Sequence, residues 1–376
     1  MNFEMSDDRR MLADTLRRYL AEQYGIEHRT TVAYEAPWHD PVKWDGLAEL
    51  GLFYALVGED AGGMGGGGFD VAVVFEELGR ALSPEPVLGA LMAAVLLGRA
   101  DADLEPLMGG TRYAVGLGEL DAPYDLDGIA TEAKADGDTW HLNGRKSVVY
   151  GAPGAKRLLI AARHAEGLGL FEMAASDAQI TGYGMIDGGP AGEVFLDNSP
   201  ATFLLTDATA ALSDALDLGA VALAAEALGA IDTTNAMLVD YLKTRKQFGR
   251  PIGAFQALQH RAVDLGIEME QARSSIILAA DAIGKPDQSR RVSQPRRTSW
   301  RRSLQSGAGA GSAGLFFATL AGYEEELRQI REDLALVDGL EHHQESLAIS
   351  RYVRLSQQLP EMADVPAMAP PEPYNY

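Results

Sequence analysis

Residues 241–265, YLKTRKQFGRPIGAFQALQHRAVDL, constrain this chain more than any other stretch. Two runs of helical character meet at Gly249–Gly253, with Pro251 in the middle. Glycine weakens a helix and proline removes a donor and clashes with the preceding turn, so the break is real. Arg245 and Lys246 close the first run, where cations suit the negative end of the helix dipole. Beyond the break, Phe255, Leu258 and Val263 recur at helical spacing. A guanidinium (Arg245), an aromatic ring (Phe248) and an amide (Gln256) thus share one corner, a set suited to a ligand with phosphates and flat rings. The same residues also suit an ordinary helical hairpin with a solvated Arg and Gln, and no single one decides between the two.

Taken whole, R-K-Q-F-G-x-P-I-x-x-F-Q-x-x-Q-H over residues 245–260 resembles the signature of the acyl-CoA dehydrogenase family. The resemblance implies an α+β multidomain chain: a helical N-domain (1–110), a β-barrel or sandwich middle domain (111–206) and a four-helix-bundle C-domain (207–358), then a tail (359–376). It also implies FAD as cofactor, an acyl-CoA thioester as substrate and α,β-desaturation as the reaction. The expected partners are an electron-transferring flavoprotein and further subunits, either copies or a large acyl-CoA dehydrogenase subunit.

The residues themselves bound the alternatives. A formal net charge of -22 over 376 residues argues against nucleic acid or an anionic membrane as partner of the whole surface. With no cysteine there is no disulfide, thiolate metal site or cysteine nucleophile. MNFEMSDDRRML has no signal-peptide core, and no apolar run reaches the ~18 residues of a membrane span, so a cytoplasmic location is expected.

In chain order, Ser6 reads as an N-cap, with Met11, Leu12, Leu16 and Leu20 on one face of the first helix. Trp44 to Leu52 reads as a second amphipathic segment. The glycine run 58–68 lacks the lysine and preceding strand of a phosphate loop, which favours close packing over phosphate binding. Val71–Leu82 and Val87–Leu97 read as buried helices. Near residue 111 short alternating runs begin, at 113–117, 129–135, 139–142, 157–162, 168–173 and 193–196. Their glycine, aspartate and proline punctuation argues antiparallel strands, with turns at 136–138 and at Asn143-Gly144. From 208 onward the pattern is helical again: 216–248 as a central helix and 255–283 as a second, with Glu268, Glu270 and Arg273 on its polar side. Residues 290–302 hold six arginines, and 306–314 read SGAGAGSAG where the family carries a glycine motif for the flavin pyrophosphate. The former reads as a solvated loop, insertion or shifted frame before a nucleic-acid patch.

The resemblance places cofactor contacts at Glu119, Val148, Val149 and Tyr150 in the middle domain, beside Arg245, Phe248 and Gln256. Here the family's Trp-Ile-Thr has become Val148-Val149-Tyr150, and valine cannot stack on an isoalloxazine. The reaction needs a carboxylate dry enough to have a raised pKa, held over the α-carbon. One family position for it reads Leu216-Asp217-Leu218-Gly219-Ala220 here, without the glutamate. The other, near the C-terminus, points to Glu341, with Glu324 as second choice. A metal site from Glu341, His342 and His343 is disfavoured, because adjacent helical residues point apart. Two readings follow: a catalytic flavoenzyme, or a non-catalytic partner subunit that lends its corner to a flavin held by a neighbour, an inactive homologue being the third.

Overall fold

The computed structural model describes residues 5–284 apart from 124 and 138. Glu324, Glu341, the arginine run, the 306–314 stretch and the tail all lie outside these residues. Helix α1 (Asp7–Gln23) starts at Ser6, whose Oγ accepts from the Arg9 amide at 3.3 Å. Its buried stripe is Ala13, Leu16 and Leu20; Met11, expected on that face, is 68% exposed, because the helix turns it one step outside the stripe. Helices α2 (Ile26–Tyr34) and α3 (Pro41–Glu49) follow, and α3 is capped by Asp40, which accepts from the amides of Val42 and Lys43. Trp44 on α3 is fully buried against Phe53, ring centroids 4.6 Å apart. The glycine run packs as a tight loop: a Cβ on Gly63 would lie 2.0 Å from the Val57 carbonyl oxygen, and one on Gly65 2.8 Å from that of Ala55. Helices α4 (Gly68–Arg80), α5 (Val87–Arg99) and α6 (Glu105–Met108) complete the N-terminal helical part.

A sheet follows, of β1 (Tyr113–Gly116), β2 (Glu132–Asp136), β3 (Thr139–Tyr150), β4 (Arg157–His164), β5 (Gly167–Ala174), β6 (Gln179–Gly184) and β7 (Pro190–Leu205). β3 and β5 flank β7, β5 pairs along β4, and β2 bridges β3 back to β4, which closes a barrel. The structure corrects three expectations. β1 runs parallel to β4, since the β2–β3 hairpin lies between them in the chain. Asn143-Gly144 is a bulge inside one unbroken strand: the register shifts between Leu142 and Gly144, and Asn143 Oδ1 accepts from the Asn198 amide at 2.9 Å. β6 escaped notice because two glycines blur its alternation.

Two long helices close the described chain, α7 (Thr209–Thr244) and α8 (Gln256–Ala282). They meet α4 almost backbone to backbone. A Cβ on Gly79 of α4 would stand 1.8 Å from the Glu226 carbonyl oxygen of α7, and one on Gly229 of α7 1.9 Å from that of Glu76. Gly68 likewise abuts the Ala280 carbonyl of α8, at 2.3 Å. Around this crossing runs a ring of charge. Arg80 pairs with Glu76 (2.8 Å), Glu77 (3.4 Å) and Asp232; Arg17 of α1 reaches Glu77 (2.6 Å). Arg273, expected on the polar side of α8, turns inward to Glu76 at 2.9 Å. Among the described residues, no helix is long and apolar enough to cross a membrane.

Gly79→Ala and Gly229→Ala are each expected to lower stability by about 1–3 kcal/mol or more in urea unfolding, because backbone rather than a movable side chain blocks the new methyl. Gly98→Ala, on α5 with nothing within 4 Å, should instead add roughly 0.5–1 kcal/mol.

Candidate functional site

The corner between α7 and α8 is a two-residue hairpin. α7 ends at Thr244; Arg245 leaves it in extended conformation, its amide still bonded to the Tyr241 carbonyl. Lys246–Gln247 (β8) then pairs with Arg250–Pro251 (β9), leaving Phe248 and Gly249 at the tip with φ of 51° and 80°. Two positive φ angles in a two-residue loop match the twist of a hairpin, but phenylalanine is a costly occupant of the first. That residue is also 86% exposed. Behind it, Phe255 meets Phe248 edge-on at 6.1 Å, and the Arg250 guanidinium lies 4.4 Å over the Phe255 ring. Buried Ile252 ties the hairpin back through its amide to the Arg245 carbonyl at 2.9 Å, and Gly253 lets it approach the Leu242 carbonyl. Gln256 opens α8 with its side chain exposed. Of the three corner groups, Phe248 and Gln256 face outward, while Arg245 is half-buried at the base. The guanidinium on the exposed edge is that of Arg250, which the sequence reading passed over. Its signal was the Phe248-Gly249 turn, which leaves Arg250 beside the tip.

In the barrel, β3 bulges again between Lys146 and Val149. Val148 sits there at φ 53° and 52% exposed, a conformation that costs a β-branched residue of order 1–3 kcal/mol. Glu193 of β7 holds it. Its carboxylate accepts from Ser147 Oγ (2.8 Å), Arg145 Nε (2.9 Å), Tyr183 Oη (3.1 Å) and the Val148 amide (3.3 Å). Burial would raise the Glu193 pKa, but these bonds outweigh it and hold the group below the usual carboxylate range. Val149 points into the barrel core at 2% exposure, and Tyr150 is half-buried with its ring against Gly189. Glu193 was read only as the start of a strand, since only the bulge brings its carboxylate beside residues 145–148.

Glu119 is engaged by its own chain. It is 8% exposed and accepts from Lys146 Nζ (2.7 Å), Thr131 Oγ1 (2.6 Å) and the amides of Ala130 (2.8 Å) and Thr131 (3.0 Å). These bonds overcome its burial and bring its pKa down to about 2, while burial draws fully enclosed Lys146 down to about 8 against the pull of Glu119. The carboxylate therefore braces the turn before β2 against β3 and is not aimed outward. At the Leu216–Ala220 step, early in α7, Gly219 faces Leu88 and Met92 of α5 with no carboxylate at that position.

Because the folded pKa of Glu119 lies below its ordinary 4.5, the stability that it contributes is present above about pH 4.5 and lost as pH falls toward about 2. Glu119→Gln should flatten that acid limb in pH-dependent unfolding. Glu119→Ala should cost about 3–5 kcal/mol, because it leaves Lys146 buried without its partner.

Comparison with known proteins accords with this architecture. Family models described as the acyl-CoA dehydrogenase N-terminal and C-terminal domains match residues 6–99 and 209–294. The chain is 30% identical over 308 residues to 3-sulfinopropanoyl-CoA desulfinase of Paraburkholderia xenovorans, covering 74% of this chain and 78% of that protein. It is 30% identical over 292 residues to acyl-CoA dehydrogenase IpdE2 of Mycolicibacterium smegmatis, covering 75% and 78%. Among solved structures, a variant of the Tcur3481-Tcur3483 steroid ACAD shares 27% identity at a TM-score of 0.72, covering 96% of this chain and 97% of that one. The ChsE4-ChsE5 complex from Mycobacterium tuberculosis shares the fold at 22% identity and a TM-score of 0.76, covering 98% and 100%. The chain belongs to the acyl-CoA dehydrogenase family.

Proposed function

We propose that this chain is one subunit of a heteromeric acyl-CoA dehydrogenase and lends the Phe248–Gln256 corner to an FAD held mainly by a partner subunit. FAD is the family's cofactor, and it supplies the hydride acceptor for desaturating an acyl-CoA, with an electron-transferring flavoprotein as next acceptor. The observation that carries the reading is the contrast between the two candidate surfaces. The corner fits part of such a cofactor: an exposed ring on a strained turn, an exposed guanidinium beside it that stacks on Phe255, and an exposed amide. The barrel does not fit the flavin ring. Val149 is buried, Glu119 is bound to Lys146, and the Val148 amide and Ser147 hydroxyl are bonded to Glu193. The 27%-identical steroid ACAD, named for two polypeptides, is in keeping with a two-subunit assembly.

A second reading makes this chain the catalyst. It requires the α-proton to pass to Glu341 or, failing that, Glu324, and it requires the barrel contacts to rearrange around the ring. The subunit reading needs neither.

Purified alone, the chain is expected to be colourless. Co-expressed with a flavin-binding acyl-CoA dehydrogenase subunit, it should give a yellow complex that acyl-CoA bleaches. Phe248→Ala should weaken flavin retention by that complex about tenfold, within the roughly 1–3 kcal/mol of a ring stacking contact, Gln256→Ala should weaken it by the roughly 0.5–1.5 kcal/mol of one hydrogen bond, and both should leave the melting temperature of the chain unchanged. A chain that is yellow and bleachable without any partner would overturn the reading.

A further inference from the structure

The ends of α1 and α4, the start of α2 and the later half of α7 enclose a cavity of about 200 Å³. Close-packed interiors leave few voids larger than a water, and this one is kept open by small residues: Ala21 of α1, Ala81 after α4 and Ala230 of α7. Ala21 and Met237 are both exposed and stand at its mouth. One wall is Leu82, held at φ 50°, a strained conformation for leucine, with its carbonyl accepting from Arg29 Nε at 2.9 Å. Arg29 and Arg80 put positive charge on the lining. Arg80 turns its three nitrogens to Glu76, Glu77 and Asp232, so it meets the cavity with its stem and its charge rather than a spare donor. Thr233 and Thr234 line it too. Each gives its hydroxyl proton to a main-chain carbonyl, that of Arg80 at 3.2 Å and that of Ala230 at 2.9 Å, so their oxygens serve the cavity as acceptors.

We propose that this cavity is a second small-molecule site, apart from the Phe248–Gln256 corner, for a neutral aromatic ring with one N–H or O–H donor, of the indole or phenol class. Size sets the first limit. A cavity of about 150 Å³ takes benzene, so this one takes a single ring or a fused pair. Charge sets the second. Cations on a wall attract the π-face of a ring, whereas the three carboxylates around Arg80 oppose an anion. The threonine oxygens set the third, since they are placed to receive one donor. Leu20, Ile26 and Met237 supply the apolar contact that such sites need. A ring seated here packs against both Arg80 and Thr233, bracing the end of α4 on α7, whether or not a partner subunit holds the flavin.

Titration of the full chain with indole, followed through the carbon-13 signal of the Met237 methyl group and the melting temperature, tests this. Indole is expected to shift the methyl signal saturably, with a Kd at or below about 1 mM, and to raise the melting temperature. 1-Methylindole has the ring without the donor and should bind about fivefold more weakly; benzoate, an anion, should bind more weakly still. Ala21→Trp, at an exposed position on the mouth, should abolish the saturable shift. A Met237 signal that moves only in proportion to added indole, binding that survives Ala21→Trp, 1-methylindole binding as tightly as indole, or benzoate binding more tightly would each overturn the proposal. The titrations of the native chain decide by themselves should the tryptophan variant not fold.

Discussion

The close crossing of α4 with α7 is the contact on which the other features rest. Two glycines, Gly79 and Gly229, each face a carbonyl oxygen of the opposite helix at a distance that no side chain tolerates. Such proximity brings the Arg80–Glu76–Glu77–Asp232 ring together and lets Arg17 and Arg273 join from α1 and α8. It also sets the line of α7, whose last turn carries the hairpin corner 36 residues of helix away from the barrel. Buried ion pairs of this sort add little net stability over apolar packing, but breaking one side of them is costly, so they favour one arrangement of the four helices.

Both carboxylates in the barrel site show one physical idea used twice. Glu119 and Glu193 are each surrounded by enough donors to remain charged despite burial. Glu119 spends that charge on Lys146, and Glu193 spends it on a bulge that holds Val148 in a conformation valine resists. Glu85, in the loop between α4 and α5, is the opposite case: it is buried, and burial outweighs what the Asp40 amide and Tyr24 donate, so its pKa is pushed up to about 8. Donor count, rather than depth alone, separates the three.

Much was legible in the residues before any coordinates. The cap at Ser6, the two long helices parted by a glycine–proline break, and most of the strands follow from periodicity and turn chemistry, which are local, although the first helix stops at Thr244, short of the expected 248, because residues 246–251 pair as a hairpin. The family resemblance at 245–260 was legible for the same reason, since a short motif needs no tertiary context. What stayed hidden was pairing. Parallel β1–β4, the Asn143-Gly144 bulge and the inward turn of Arg273 all depend on which distant segment lies alongside.

For the site, the sequence by itself determined the chemistry available at the corner: a ring, an amide and arginines around a glycine–proline break. It could not say which arginine faces out, because Arg245 and Arg250 differ only in how the hairpin folds back on α7. Only the tertiary structure decided that, and only it joined Glu193 to Val148 and Glu119 to Lys146, residues 45 and 27 positions apart. The physical reason is the range of the forces involved: helix caps and turns act within a few residues, whereas satisfying a buried charge recruits donors wherever the fold brings them.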